Sequence, residues 1–164
     1  MYRTILVTLD GTATDRHIID HVKELAQLMK SRVVLLHVAD GWAARTFGPD
    51  AVHPEVTSDQ AYLSSVRTEF ESAGIDAETV LAFGEPADEI VKWIRDKGCD
   101  LVAMSTHGHR FFADLALGQT VSPVLHRLAI PVLVVPTGKD ASHQTRKVPD
   151  RETRGQDEAG PSGE

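Results

Sequence analysis

Residues 4–12 read TILVTLDGT, a run of six aliphatic or β-branched residues that passes directly into an Asp-Gly turn. Runs that are apolar throughout, rather than alternating with polar residues, are expected where helices cover both faces of a parallel sheet. Four similar runs follow, at Val33–Val38, Ala77–Phe83, Asp100–Ser105 and Pro131–Val135. The sequence therefore predicts five parallel strands.

The segments between these runs repeat their apolar residues at helical spacing. The predicted helices begin after Thr14 (a candidate N-cap), after Ser58-Asp59, at Pro86 and after Gly118, and the second and third end at Gly74 and Gly98. Their apolar stripes are Ile18, Val22, Leu25 and Met29; Leu63, Val66, Phe70 and Ala73; Ala87, Ile90, Val91 and Ile94; and Val121, Val124, Leu125 and Leu128. Strict alternation predicts a three-layer α/β/α sandwich, with a five-stranded parallel sheet and four helices.

The composition fits one domain followed by a tail. The chain has 164 residues, of which 41% are hydrophobic and 25% charged, as in ordinary soluble globular proteins. Lys139–Glu164 contains only three apolar residues, too few to offset the entropy cost of ordering it. We therefore predict a domain at residues 1–138 and a disordered tail at 139–164.

The net charge, the cysteine count and the distribution of apolar residues indicate which partners and which cellular location to expect. A net charge of −7 argues against nucleic acid and anionic membranes as partners. The single cysteine, Cys99, excludes an internal disulfide framework, and we expect neither a secretory leader nor a membrane span. A cytoplasmic location is expected.

In parallel α/β sheets the ligand binds at the carboxyl ends of the strands. Dinucleotide and Walker-type sites are excluded because G-x-G-x-x-G and G-x-x-x-x-G-K-[ST] are both missing from the sequence. The third run ends in Phe83-Gly84 and Asp10 stands alone, which argues against a phosphoacceptor domain. Ala39–Ser58 is long for a loop between a strand and a helix and is expected to cover this edge.

The fourth run continues into the most informative motif of the chain. Met104-Ser105-Thr106-His107-Gly108 is followed, after nine residues, by Gly118-Gln119-Thr120. Together with Ile5–Asp10 and Ile130–Val135, this segment resembles the universal stress protein family, whose ATP-binding members carry G-x2-G-x9-G-[ST]. The resemblance spans residues 2–136 and implies an adenine nucleotide alpha hydrolase-like fold. Ser105 replaces the first glycine of the motif, and Gln119 replaces its serine or threonine.

The physical basis of such a motif is the unpaired backbone N–H groups at the start of a helix, which bind phosphates. Gly108 and Gly118 lack a β-carbon, so the main chain can approach a phosphate closely. Gln119 replaces a hydroxyl donor by an amide donor, while the backbone N–H groups of Gln119 and Thr120 remain. Thr120 offers a hydroxyl one position later.

The resemblance implies ATP with magnesium as the ligand, with Asp10 near the ribose or the metal and the Val38 backbone at the adenine. The predicted nucleotide-binding residues are Thr8, Leu9, Asp10, Val38, Met104, Ser105, His107, Gly108, His109, Gly118, Gln119 and Thr120. No general base stands out, so we assign no catalytic residue and expect at most slow ATP hydrolysis. The predicted function is a nucleotide-dependent stress-response regulator.

Two other functions remain open at this point. One is a nucleotide-free interaction module of the same fold, and the other is a binder of AMP or a cyclic nucleotide. In each case we expect a homodimer, because the apolar last run Pro131–Val135 would form a sheet edge. His17 and His21 are spaced for one helix face but lack a third zinc ligand, so we assign no metal ligand among the side chains.

Overall fold

A computed structural model describes residues 1–39, 54–106 and 120–136. Within these residues the five predicted strands alternate with the four predicted helices. The elements are β1 (Thr4–Leu9), α1 (Asp15–Met29), β2 (Arg32–Ala39), α2 (Pro54–Ser72), β3 (Ala77–Phe83), α3 (Pro86–Lys97), β4 (Leu101–Ser105), α4 (Val121–Leu125) and β5 (Val132–Val135). His107–Gln119 and the predicted tail lie outside the described residues.

The five strands form one parallel sheet in the order β3-β2-β1-β4-β5. β1 lies at its centre, with β2 and β3 on one side and β4 and β5 on the other. The β1–β2 register runs from Thr4 opposite Arg32 to Leu9 opposite His37. The predicted fold class is confirmed.

Two apolar layers cover the faces of the sheet. On one face, Ile5 and Val7 of β1 pack with Ile18 of α1 and Phe70 of α2. On the other, Leu6 lies in a cluster with residues of α3 and α4. Alternate residues of β1 thus enter opposite clusters, as the pleat of a strand requires. Burial on both faces explains why most residues of the central strands are apolar.

Asp100 fastens β4 to β1 at the amino edge of the sheet. Its carboxylate accepts hydrogen bonds from the backbone N–H groups of Arg3 (3.0 and 2.9 Å) and Thr4 (3.0 Å). Burial by itself would raise the pKa of Asp100, but these N–H groups stabilise the carboxylate, and the pKa lies below its ordinary value.

Glu69 holds α2 against α1. The Arg16 guanidinium donates to both of its carboxylate oxygens, at 2.9 and 2.8 Å, and the Lys23 ammonium also pairs with it. The Arg16 and Lys23 hydrogen bonds lower the pKa of Glu69 to about 2. These ion pairs link the exposed sides of α1 and α2, and α2 also carries two side chains toward the carboxyl edge of the sheet.

Two helix boundaries near this edge differ from the sequence prediction. α1 starts after Thr14 as predicted, but the Thr14 side chain makes no capping bond, and its hydroxyl instead pairs with that of Thr12 at 2.5 Å. α2 begins at Pro54 rather than at Ser58-Asp59. Proline is favoured in the first turn of a helix, and Val56 is buried, so the helix gains an additional turn. Residues 54–58 of the loop predicted over Ala39–Ser58 are therefore helical.

The fourth helix is also shorter than predicted. α4 ends at Leu125, whereas the apolar stripe suggested a helix reaching Leu128. Leu128 still packs against the core, from the turn that follows the helix. Pro131 disfavours helical backbone at the residue before it, and the chain must extend to enter β5.

No helix in the described parts of the chain combines the length and the hydropathy needed to cross a bilayer.

Candidate functional site

The candidate site lies where the chain reverses its direction of travel across the sheet. From β1 the chain builds β2 and β3 on one side, and it then crosses to build β4 and β5 on the other. In sheets of this kind the crevice outside the carboxyl ends of the two strands flanking the reversal is the usual ligand site. Here those strands are β1 and β4.

β1 and β4 pair only part of the way to this edge. Their register runs from Ile5 opposite Leu101 to Val7 opposite Ala103. Both strands continue for two further residues, through Leu9 and Ser105 respectively. Six predicted site residues therefore lie at one edge of the sheet, on three neighbouring strands. They are Thr8 and Leu9 in β1, Asp10 directly after it, Val38 in β2, and Met104 and Ser105 in β4.

These residues alternate between the two faces of the sheet. Leu9 lies in the cluster beneath α1 and α2, whereas Met104 and Val38 pack in the cluster beneath α3 and α4. Thr120 directly precedes Val121, which belongs to the same cluster as Met104. The start of α4 and the end of β4 are therefore joined through one apolar layer.

The turn after β1 is held by a buried carboxylate. The backbone N–H groups of Asp10 and Gly11 each donate to Asp15 Oδ2, at 2.9 Å. The Tyr62 hydroxyl, from α2, donates to the same oxygen at 2.7 Å. Gly11 has φ +75°, a left-handed conformation that suits glycine. Burial and the hydrogen bond to the Asp15 carboxylate raise the pKa of Tyr62 above its ordinary value, so its hydroxyl stays protonated and donates.

His37 makes a second link between α2 and the end of β1. Its Nδ1 lies 2.7 Å from the Leu9 carbonyl oxygen, and its Nε2 lies 3.5 Å from Asp59 Oδ2. A carbonyl oxygen can only accept, so Nδ1 carries the hydrogen of this bond. The residues that support the turn, Asp15, His37, Asp59 and Tyr62, were not predicted from the sequence.

The Ser105 side chain, at the end of β4, carries a hydroxyl that makes no hydrogen bond with the described residues. Its Oγ is also buried. A buried hydroxyl without a partner costs roughly 1–3 kcal/mol. Serine stands here in place of the glycine that the motif has at this position.

Five predicted site residues cannot be placed. His107, Gly108, His109, Gly118 and Gln119 lie outside the described residues. Elsewhere, His17 and His21 are exposed on α1, and no cluster of three or more metal-ligating side chains occurs in residues 1–39, 54–106 and 120–136.

The sequence profile of the universal stress protein family matches residues 1–136. The chain belongs to the universal stress protein family. Its sequence is 27% identical over 154 residues to universal stress protein MJ0577 of Methanocaldococcus jannaschii, covering 82% of this chain and 95% of that protein. A solved structure of MJ0577 has a TM-score of 0.73 and 29% identity, covering 83% of this chain and 96% of that one.

Two other members of the family have been solved with nucleotides. A universal stress protein in complex with cAMP has a TM-score of 0.65 at 22% identity, over 84% of this chain and 98% of that one. The protein from Archaeoglobus fulgidus in complex with dAMP has a TM-score of 0.63 at 18% identity, over 82% and 98%. At these identities the likeness demonstrates a shared fold.

Proposed function

We propose that this universal stress protein binds an adenine nucleotide, ATP with magnesium, at the carboxyl ends of β1, β2 and β4 and acts as a nucleotide-dependent regulator. One observation carries the proposal. β1 and β4 stop pairing at Val7 and Ala103 but run on to an edge where the Ser105 hydroxyl is buried without a partner among the described residues. A ligand with ribose or phosphate oxygens would satisfy that hydroxyl.

The proposal for the phosphate contacts is supported mainly by the sequence. Gly108 and Gly118 keep the nine-residue spacing of the family motif, and Thr120 follows directly. α4 has only five residues, so its dipole is small. We propose that individual backbone N–H groups at Gly118–Thr120, rather than the field of a long helix, hold the phosphates. Asp10 lies at the same edge, where its carboxylate would be near the ribose or near the metal and phosphates.

Binding of AMP or a cyclic nucleotide is the second candidate. The relatives solved with cAMP and with dAMP share this fold, which supports it. Asp10, Val38 and Met104 lie at the end proposed for ribose and adenine. Contacts at that end would be the same for a nucleotide with one phosphate and for one with three. A nucleotide-free interaction module is the alternative from another class.

The first experiment identifies the ligand. Mass spectrometry of small molecules released from the purified full chain, followed by thermal shifts with ATP and magnesium, AMP and cAMP, separates the candidates. Ligand at 100 times its dissociation constant should stabilise the fold by about 2.7 kcal/mol. Gly118→Val should abolish the shift, because a β-branched side chain enters the phosphate path. Gln119→Ser should preserve the shift. A shift with Gln119→Ser but none with wild type would favour the interaction module.

We also propose a homodimer through β5, which is an edge strand paired only with β4. The carbonyls of Pro131 and Val135 accept hydrogen bonds from β4 and from the residue that follows it. The backbone groups of the alternate residue Val134 therefore face away from the sheet. Light scattering should give a dimer mass. Leu133→Lys should shift it toward monomer, and Val134→Pro, which removes an outward N–H, should do the same. A monomer mass for wild type at tens of micromolar would contradict the proposal.

The tail and the location stay predictions. Deleting Ala141–Glu164 should leave the thermal midpoint almost unchanged, because the tail has few apolar residues to bury. A fall of many degrees would mean that the tail packs on the domain. A cytoplasmic location is tested by fractionation of cells that express the full chain.

A further inference from the structure

The acidic side chain at the start of α1 is almost completely buried. Asp15 is 1% exposed, although aspartate is seldom buried without a structural or functional reason. Its Oδ2 accepts three hydrogen bonds, from the N–H groups of Asp10 and Gly11 and from the Tyr62 hydroxyl. Bonds to a charged acceptor are stronger than those between neutral groups.

Two of these three bonds come from the segment that follows β1. Asp10 and Gly11 form the turn at the edge proposed for the nucleotide, and Gly11 has φ +75°. The two N–H groups belong to the peptide groups on either side of the Asp10 Cα, so their bonds to one carboxylate oxygen restrain the orientation of both. The direction in which the Asp10 side chain leaves the backbone is therefore set by Asp15.

Tyr62 links the Asp15 carboxylate, and through it the Asp10–Gly11 turn, to α2. The ring of Tyr62 packs against the apolar cluster beneath α1 and α2, while its hydroxyl reaches Asp15 at 2.7 Å. Asp59, three residues earlier on α2, lies 3.5 Å from His37, which contacts the Leu9 carbonyl. α2 thus supports two consecutive parts of the β1 end through separate side chains.

We propose that Asp15 and Tyr62 are positioning residues that hold the Asp10–Gly11 turn in its nucleotide-binding conformation, an inference that rests on the proposed function. Neither residue needs to touch the nucleotide. Displacement of α2 would loosen the turn and lower the nucleotide affinity, so α2 couples its own packing to binding.

The test variant is Tyr62→Phe, which removes the hydroxyl and keeps the ring in the core. Titration of ATP with magnesium into the full chain should show a dissociation constant raised about fivefold, the effect of losing one hydrogen bond. Exchange of the Gly11 amide hydrogen, measured by NMR, should become faster. Asp15→Asn, which loses the charge but keeps the size, is the second variant and should weaken binding in the same direction.

The matched control is Ser31→Ala. Ser31 is also buried, and its hydroxyl donates a 2.7 Å bond to the Tyr2 carbonyl at the opposite edge of the sheet. Its loss should lower stability while leaving the dissociation constant and the Gly11 exchange within twofold of wild type. A purely structural role for Tyr62 would make the two variants alike in binding.

The outcomes separate the two proposals. If wild type binds no nucleotide, the proposed function fails and this inference fails with it. If wild type binds and both Tyr62→Phe and Asp15→Asn bind within twofold of it, only the positioning role is overturned. Weaker binding by Tyr62→Phe with Ser31→Ala unchanged supports it.

Discussion

The Nδ1 atom of His37 lies 2.7 Å from the carbonyl oxygen of Leu9, its register partner on the neighbouring strand. The bond joins two adjacent strands through a side chain at the edge where the backbone ladder ends. Because Nε2 of the same ring faces Asp59 on α2, at 3.5 Å, His37 connects β1, β2 and α2 at one point.

Replacing His37 should therefore destabilise the fold. His37→Leu removes the donor to the Leu9 carbonyl and the contact with Asp59, and we expect a loss of about 1–3 kcal/mol. Urea unfolding at neutral pH measures it. His21→Leu is the control, since His21 is an exposed histidine of α1 and should change stability by less than about 0.5 kcal/mol. Equal effects of the two variants would contradict a structural role for the His37 bond.

Replacing Ser105 should have different effects on the stability of the protein and on its affinity for nucleotide. Ser105→Ala removes a buried hydroxyl that has no partner among the described residues, so the ligand-free protein should be unchanged or more stable by up to about 1 kcal/mol. The same change should raise the dissociation constant for ATP about fivefold, if the nucleotide satisfies this hydroxyl. Thermal midpoints with and without nucleotide measure both effects. A less stable ligand-free variant with unchanged affinity would show that the hydroxyl serves the fold.

Replacing Lys30 by glycine should stabilise the protein. Lys30 ends α1 with φ 55°, the left-handed conformation that costs a residue with a β-carbon about 1–2 kcal/mol. Lys30→Gly should stabilise the protein by about 0.5–1 kcal/mol after the greater chain entropy of glycine is counted. Glu24→Gly, in the exposed interior of the same helix, should instead destabilise it by about 1 kcal/mol. Urea unfolding of both variants tests the pair, and two changes of the same sign would refute the explanation.

Glu69 predicts a pH dependence. Hydrogen bonds from Arg16 and Lys23 lower its pKa to about 2, whereas an unfolded glutamate titrates near 4.5. Its contribution is therefore fully present above pH 4.5 and is lost as the pH falls from there toward 2. Because the pairs are partly exposed, we expect Glu69→Gln to cost less than about 1 kcal/mol at pH 7. The difference from wild type should shrink at low pH and in high salt, and a difference independent of both would contradict the assignment.

The fold could be predicted because the central strands β1, β2 and β4 are buried on both faces. Runs such as Val33–Val38 need little tertiary information to be recognised, and Gly74 and Gly98 mark helix ends by their conformation. The boundary errors came from cases where packing outweighed the local signal. Val56 is buried and extends α2 to Pro54, whereas Leu128 contacts the core without being helical.

Sequence reasoning reaches the candidate site only at strand ends and at the motif. Asp10, Met104 and Ser105 follow from strand ends, but the support of the turn depends on contacts across the chain, such as Tyr62 with Asp15, 47 residues apart. One signal for Asp15 was present in the sequence. It lies three residues before Ile18 and seven before Val22, on the apolar stripe of α1, and that spacing places its carboxylate on the buried face.

Isothermal titration of ATP with magnesium into the full chain is the most direct test of nucleotide binding at the β1–β4 edge. We predict saturable binding with one nucleotide per chain, weakened in Ser105→Ala and lost in Gly118→Val. Saturable binding of AMP or cAMP with none of ATP would keep the site and change its ligand. No binding of any adenine nucleotide at millimolar concentration, by a chain with a cooperative unfolding transition, would contradict the account.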